Sequence, residues 1–184
     1  MLLLKPRLEL PEVVGRLWDK YNLPENVRMH CRAVAELAVR IAEAARVRGY
    51  DVDIEAVRLG ALLHDIGRAY SHGLDHFVIS GEILRKEGLD EKIIRIAERH
   101  FSSGITAEEA KALGLPAKDF MPETLEEKIV AFADNLIFGD RVGSFEEFMK
   151  RLDSIQENRW IVERSKERAV RLKAEIERVS GLKF

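Results

Sequence analysis

Four of the five histidines lie on the apolar stripes of predicted helices, where an imidazole needs a polar partner. His30, His64, His76 and His100 each follow or precede Val, Ile or Ala residues at spacings of three and four. A single histidine in such a place is most often a core residue with one hydrogen bond. Four of them in one chain indicate that the imidazoles point inward and share one functional site.

Two acidic residues occupy similar positions. Asp65 follows Ala61 by four residues and Leu62 by three, and Asp134 lies inside the apolar segment IVAFADNLIF. A buried carboxylate without a partner costs several kcal/mol, so it needs a cation, a set of donors or a proton. A metal ion would supply the cation. Because Cys31 is the only cysteine, the ligands must be nitrogen and oxygen atoms, a set that suits Fe, Mn, Ni, Co or Zn.

The elements that would position these side chains are helices throughout. Periodicity predicts a long helix over 24–48 and another from Ile54 to His64, which Asp53 caps and Gly67 ends. Ser or Thr followed three residues later by Glu predicts three more helix starts, at Thr106, Thr124 and Ser144. Further helices are predicted over 75–87, 90–100 and 157–179, and the loosest segment is 101–123. The fold class is therefore all-α.

Length and composition predict one soluble domain. The 184 residues contain no repeat and no linker, so we expect a single domain over 1–184. No apolar run approaches about 20 residues and Leu2 to Leu4 are too few for a signal peptide, which predicts no membrane segment and a cytoplasmic location. A net charge of -2 indicates no clear nucleic-acid surface. The last helix could pack on the core or pair with a second copy as a homodimer.

The order of these residues resembles the HD superfamily of metal-dependent phosphohydrolases. His30, then the adjacent His64 and Asp65, then Asp134, lie on separate predicted helices, and HDIG is completed by Ile66 and Gly67. The resemblance covers about 25–140 and implies an HD-domain helical bundle, with an N-terminal helix and C-terminal helices packed on it. His76 and His100 match the two extra histidines of binuclear HD proteins.

Three longer runs are similar to a small archaeal HDIG family of largely uncharacterised hydrolases. They are HDIGRAYSHGLDH, ERHFSSGITAEEAKALGLP and MPETLEEKIVAFADNLIFGD. In that family a Gly-Ala pair commonly follows the third histidine by four and five residues, where this chain has Ser80 and Gly81. The departure at Ser80 does not involve a ligand position.

The resemblance also implies the roles of the site residues. A first divalent metal ion would be held by His30, His64, Asp65 and Asp134, and Asp65 would bridge to a second ion bound by His76 and His100. The implied reaction is hydrolysis of a phosphate ester by metal-activated hydroxide. The implied substrate is a small phosphorylated molecule, a nucleotide or a relative of one.

Neighbouring residues have several candidate roles. Arg68 directly follows the motif, and its guanidinium could bind a phosphate, although a surface arginine would look the same. His72 or His76 could serve the second metal ion; the helical stripe favours His76 and leaves His72 a role in substrate binding or proton transfer. Asn135 and Arg99 are next to predicted ligands and could orient them.

Two other functions are compatible with the same residues. A few HD proteins use a mixed-valent pair of iron ions to oxidise a substrate with oxygen. HD domains that have lost ligands act as non-catalytic ligand-binding modules. All six ligand positions are filled in this chain, which favours an enzyme. The substrate stays open among nucleoside monophosphates, diadenosine polyphosphates, cyclic dinucleotides and phosphorylated metabolites.

Overall fold

The computed structural model describes residues 9–184, and these residues form a bundle of helices with one small hairpin. The helices are α1 (Glu12–Lys20), α2 (Glu25–Val47), α3 (Ile54–Leu63), α4 (His76–Lys86), α5 (Glu91–Glu98), α6 (Ala107–Ala112), α7 (Leu125–Asn135), α8 (Phe145–Asp153) and α9 (Arg159–Ser180). A single 3-10 turn spans Ile66–Ala69. The strands β1 (Ile137–Phe138) and β2 (Arg141–Val142) pair antiparallel. The prediction of an all-α helical bundle is confirmed.

Local sequence determines where most of these helices begin. Asp53 caps α3 by accepting a hydrogen bond from the backbone N–H of Ala56. Thr106 and Ser144 form reciprocal capping boxes at the starts of α6 and α8, as their sequences predict. At α7, Thr124 caps the helix, but the side chain of Glu127 bonds elsewhere, so that box is only half formed.

Helix α2 is the central element, since it packs against α3, α7 and α9. Helices α3 and α5 also pack together, and α4 packs on both α5 and the 3-10 turn. The main core contains the buried faces of α1, α2, α3, α5 and α7. This packing brings the end of α3, the start of α4, the end of α5 and the end of α7 close to the N-terminal part of α2.

Gly67 allows the 3-10 turn to lie directly against α4. A Cβ at this position would overlap the carbonyl oxygen of His76 and lie 2.7 Å from the backbone nitrogen of Ser80. The N–H of Gly67 instead donates to the hydroxyl of Ser80 over 2.8 Å. Gly81, the residue after Ser80, packs so closely against the side chain of Glu98 that a Cβ at position 81 would overlap it. The small residues at 80 and 81 thus allow the close approach that the site needs.

A buried ion pair connects the C-terminal helix to α6. Both oxygens of Glu109, whose side chain is fully buried, accept from the guanidinium of Arg168 over 2.9 and 2.8 Å. The last turn of the chain folds back, and Phe184 contacts Phe132.

Among the helices of residues 9–184, none is long and apolar enough to cross a membrane.

Candidate metal centre

Six side chains predicted to bind metal converge at these helix ends. His30 projects from the second turn of α2, while His64 and Asp65 lie at the junction of α3 and the 3-10 turn. His76 is the first residue of α4, His100 follows α5, and Asp134 is near the end of α7. His64, Asp65, His76 and His100 are buried. His30 and Asp134 remain partly exposed, because a cavity reaches the centre from their side.

Each of the four imidazoles donates its Nδ1–H to a backbone carbonyl. His64, His76 and His100 bond the carbonyl three residues earlier, on Ala61, Gly73 and Ala97, over 2.6, 2.8 and 2.7 Å. His30 bonds the carbonyl of Gly139 over 2.6 Å. Since a carbonyl can only accept, Nδ1 carries the proton in every case, which leaves the Nε2 lone pairs free to bind a metal ion.

These Nε2 atoms approach other acceptors closely. The Nε2 of His30 lies 2.9 Å from Asp134 Oδ1, and the Nε2 of His64 lies 3.4 Å from the same oxygen. The Nε2 atoms of His76 and His100 lie 3.3 Å from Asp65 Oδ1 and 3.3 Å from each other. Such contacts between lone pairs are favourable only with a cation between them, which is either a proton or a metal ion.

The distances also suit donors that share an ion. Two ligand atoms about 2.1 Å from one metal ion lie about 3.0–3.4 Å apart in tetrahedral or octahedral geometry. Two buried atoms of the cluster, His64 Nε2 and Asp65 Oδ1, have no hydrogen-bond partner among the described residues. The residues therefore fit a metal ion in their chemistry, their spacing and their unpaired atoms.

The two oxygens of Asp65 face different histidines. Oδ1 is next to His76 and His100, and Oδ2 lies 3.8 and 3.7 Å from the Nε2 atoms of His30 and His64. Three overlapping groups could each hold an ion: His30 with His64 and Asp65; His64 with His100 and Asp134; and Asp65 with His76 and His100. Asp65 belongs to groups on both sides of the cluster, as a bridging carboxylate requires.

Burial and neighbouring charges set the ionisation of the cluster. Burial lowers the pKa of His76, and the nearby His100 and Arg68 bring it to about 4. Burial also lowers the pKa of His64, but the charge of Asp65 and the contacts with Cys31 and Asp134 together outweigh it and raise this pKa well above 6.5. Burial raises the pKa of Asp65, yet His64 and His100 hold it below its ordinary value. The carboxylate is thus ionised at neutral pH, while the imidazole of His76 is neutral.

The structure places Arg68 against this centre and His72 outside it. Arg68 donates from Nε to Asp65 Oδ2 over 2.8 Å, and its Nη2 lies 3.4 Å from His76 Nε2. His72 is exposed and lines a cavity that also contacts His30 and Asp65. His76 reaches the cluster and His72 does not. The geometry therefore agrees with the preference for His76 that its position on the helical stripe indicated.

Arg99 and Asn135, which neighbour predicted ligands in the sequence, form hydrogen bonds to residues outside the cluster. Arg99 donates to Glu127 over 3.0 Å and so connects α5 to α7, the helices that carry His100 and Asp134. Asn135 donates to Ser103 over 3.3 Å beneath the centre. Both hold ligand-bearing segments together.

Two cavities adjoin the centre. The smaller, of about 440 Å³, is lined by Asn26, His30, Asp65, Arg68, His72 and Asp140 among others. The larger, of about 590 Å³, extends from His30, Arg68, His76 and Asp134 into the space between α7, α8 and α9. Sequence reasoning missed both Gly139, whose carbonyl orients His30, and Ser102, whose buried hydroxyl lacks a partner at the cavity wall. No sequence pattern marks either role.

Comparison with known proteins gives three consistent matches. The HD domain family matches residues 27–139. An uncharacterised protein of Methanocaldococcus jannaschii is 57% identical over 129 residues, which cover 70% of this chain and 76% of that protein. A tRNA (cytidine(56)-2'-O)-methyltransferase of Picrophilus torridus is 44% identical over 133 residues, which cover 72% of this chain but only 38% of the enzyme.

A solved structure shares the fold. The HD domain of the L. monocytogenes phosphodiesterase PgpH, in complex with cyclic-di-AMP, superposes with a TM-score of 0.52. The superposition covers 95% of this chain and 99% of that domain at 17% identity. At this identity the likeness establishes the helical architecture alone.

Proposed function

The chain belongs to the HD domain family, and from this premise we propose that it is a metal-dependent phosphohydrolase. Its substrate would be a phosphate ester of a nucleotide or a related small molecule, and its centre would hold two divalent transition-metal ions. The observation that carries the proposal is the set of four imidazole Nε2 atoms directed at two carboxylates. That set is far better suited to metal ions than to a hydrogen-bonded core.

We assign His30, His64, Asp65 and Asp134 to the first ion, and His76, His100 and Asp65 to the second. When bound, such ions lower the pKa of a water molecule and neutralise the non-bridging oxygens of a phosphate. Asp65 would contribute one carboxylate oxygen to each of the two ions. Buried histidines fixed by carbonyl bonds would hold the ligand atoms in place before any ion arrives.

Arg68 would position the substrate. Its Nε is engaged by Asp65, and because the residue lines both cavities its remaining N–H groups can reach a phosphate at the centre. His72 lies across the smaller cavity and could transfer a proton to the leaving alcohol. We expect His72→Gln to slow hydrolysis of a nucleotide by about 10²-fold, with a smaller effect on a p-nitrophenyl ester, whose leaving group needs no proton.

The comparisons support the proposal without deciding the substrate. The PgpH domain is a phosphodiesterase with a bound cyclic dinucleotide, so the shared fold can accommodate a nucleotide phosphodiester. The matched segment is only 38% of the methyltransferase relative, whose name describes a much longer protein. A cluster of histidines and carboxylates favours hydrolysis over methyl transfer.

The test is metal reconstitution with a matched pair of variants. We expect the protein loaded with Mn, Fe, Co, Ni or Zn to bind two equivalents of metal and to hydrolyse bis(p-nitrophenyl) phosphate or a nucleotide. Asp65→Asn should lose both properties, while Asp51→Asn, at an exposed aspartate, should retain them. His100→Ala should reduce the stoichiometry from two to one.

Other results would redirect the assignment. Oxygen consumption by the iron-loaded protein, without phosphate ester cleavage, would indicate the di-iron oxygenase. Stoichiometric metal without turnover of any ester or of oxygen would indicate a binding module. A protein that takes up none of these metals would contradict the proposal altogether.

A further inference from the structure

The larger cavity has a surface that a phosphate group alone does not need. Near the centre it is lined by charged and polar groups, but its wall includes Phe101, Ile105, Leu113, Ile137, Phe148, Leu152, Ile161 and Val162. Its volume of about 590 Å³ is in the range of sites that enclose a drug-sized ligand. An apolar wall of this size stabilises an organic group and contributes nothing to an inorganic phosphate.

Much of this wall lies outside the segment that defines the family. The HD domain match ends at residue 139, whereas Phe148 and Leu152 lie on α8 and Ile161 and Val162 on α9. These four side chains are buried, although they border the cavity. The cavity therefore has two parts: residues of the matched segment form the metal centre at one end, and the C-terminal helices form much of the apolar wall.

Polar groups interrupt the apolar wall at several points. Ser102 has a left-handed backbone, with φ 53°, and its buried hydroxyl has no partner among the described residues. Asn158, also left-handed at φ 49°, and Ser165 line the same space. A hydrocarbon ligand would leave the hydroxyl of Ser102 without a partner, whereas a ligand with hydrogen-bonding edges would satisfy it.

Arg151 adds a cation at this cavity. Its guanidinium lies over the rings of Phe138 and Phe148, at 4.7 and 5.5 Å from their centres. Within residues 9–184 no carboxylate oxygen lies within 4.0 Å of its guanidinium, and the acidic residue Glu157 lines another part of the cavity. A guanidinium over aromatic rings is suited to contact a planar group or an anion.

We propose that this cavity binds the nucleoside part of the substrate, with the base against the apolar wall of α8 and α9 and its polar edges bonded by Ser102, Asn158 or Ser165. The inference rests on the proposed phosphohydrolase function and specifies its substrate class. A nucleoside combines an aromatic face with hydrogen-bonding edges, which is the combination that this lining favours. The C-terminal helices would then determine which nucleotides the centre hydrolyses.

Kinetic selectivity of the metal-loaded full chain tests the inference. We expect the best of the four ribonucleoside 5'-monophosphates to exceed glycerol phosphate in kcat/KM by at least 100-fold. Ile161→Trp, which would fill the cavity, should reduce that ratio at least tenfold, mainly through KM. Val170→Trp, on the exposed side of α9, should leave the ratio unchanged.

A second measurement needs no variant, so it stands even if Ile161→Trp fails to fold. Calorimetry on the metal-loaded protein should detect binding of at least one nucleoside and none of ribose. Equal efficiency with glycerol phosphate, together with no nucleoside binding, would overturn the inference while leaving the phosphohydrolase intact. Nucleoside binding without hydrolysis of any ester would instead overturn the proposed function and support the cavity assignment.

Discussion

Replacement of Gly67 by alanine tests whether the contact between the 3-10 turn and α4 builds the centre. The new methyl group would overlap the carbonyl oxygen of His76, and backbone atoms cannot move aside as a flexible side chain can. Relief of the overlap must move the turn away from α4. That movement would separate Asp65, which precedes the turn, from His76.

The cost has two parts. Overpacking of a well-packed site costs about 1–3 kcal/mol, and loss of the hydrogen bond from Gly67 to Ser80 costs about 1 kcal/mol more. In a domain of this size about 1 kcal/mol of unfolding free energy corresponds to about 2–4 °C in Tm. We therefore expect Gly67→Ala to lower Tm by about 5–15 °C.

Calorimetry and metal analysis measure the two effects separately. Gly15→Ala is the matched control, because Gly15 lies within α1 and a Cβ there would meet only Leu10, at an ordinary 3.5 Å. Alanine should stabilise that helix by up to about 1 kcal/mol. We expect Gly67→Ala to lose metal bound by His76 and His100. The reasoning would be refuted by a Gly67→Ala protein that melts within about 2 °C of the wild type and keeps its full metal content.

Two further predictions concern stability away from the centre. Arg168→Met should destabilise the protein by about 3–5 kcal/mol in chemical unfolding, because it removes the close cation from the buried Glu109 and leaves Arg164, at 4.0 Å, as the nearest one. The double variant with Glu109→Gln should be more stable than the single one, and a single variant equal to wild type would contradict this. Hydrogen bonds from Lys173 and from the backbone N–H of Phe184 lower the pKa of Glu177 to about 2. Its contribution is therefore fully present above about pH 4.5 and is lost as the pH falls through about 2. Glu177→Gln should cost about 1 kcal/mol at pH 6 and much less below about pH 2, whereas a difference that stays the same size in acid would disprove the linkage.

Patterns within a few residues of each other predicted the elements and the cluster well. The caps at Asp53, Thr106 and Ser144 confirm their helices, because an N-cap depends on the side chain and the three residues that follow. The predicted helix over 24–48 corresponds to Glu25–Val47. Helical spacing also placed the histidines and aspartates inward, and the structure brings all six together.

Features that depend on distant contacts could not be predicted in this way. The hairpin of β1 and β2 interrupts the helices and brings Gly139 to His30, a residue 109 positions earlier. Glu127 forms no full capping box because its oxygen accepts from Arg99 and from the backbone of Glu123 instead. The apolar cavity likewise exists only after α8 and α9 pack beside the centre.

The carbonyl acceptors that fix the imidazoles have a consequence for how the protein can evolve. The groups that orient His64, His76 and His100 belong to the main chain of Ala61, Gly73 and Ala97. A substitution at these positions changes a side chain and leaves the acceptor in place. Orientation of these three imidazoles is therefore insulated from substitution at the acceptor positions themselves, whereas substitutions in the cavity walls change the lining directly.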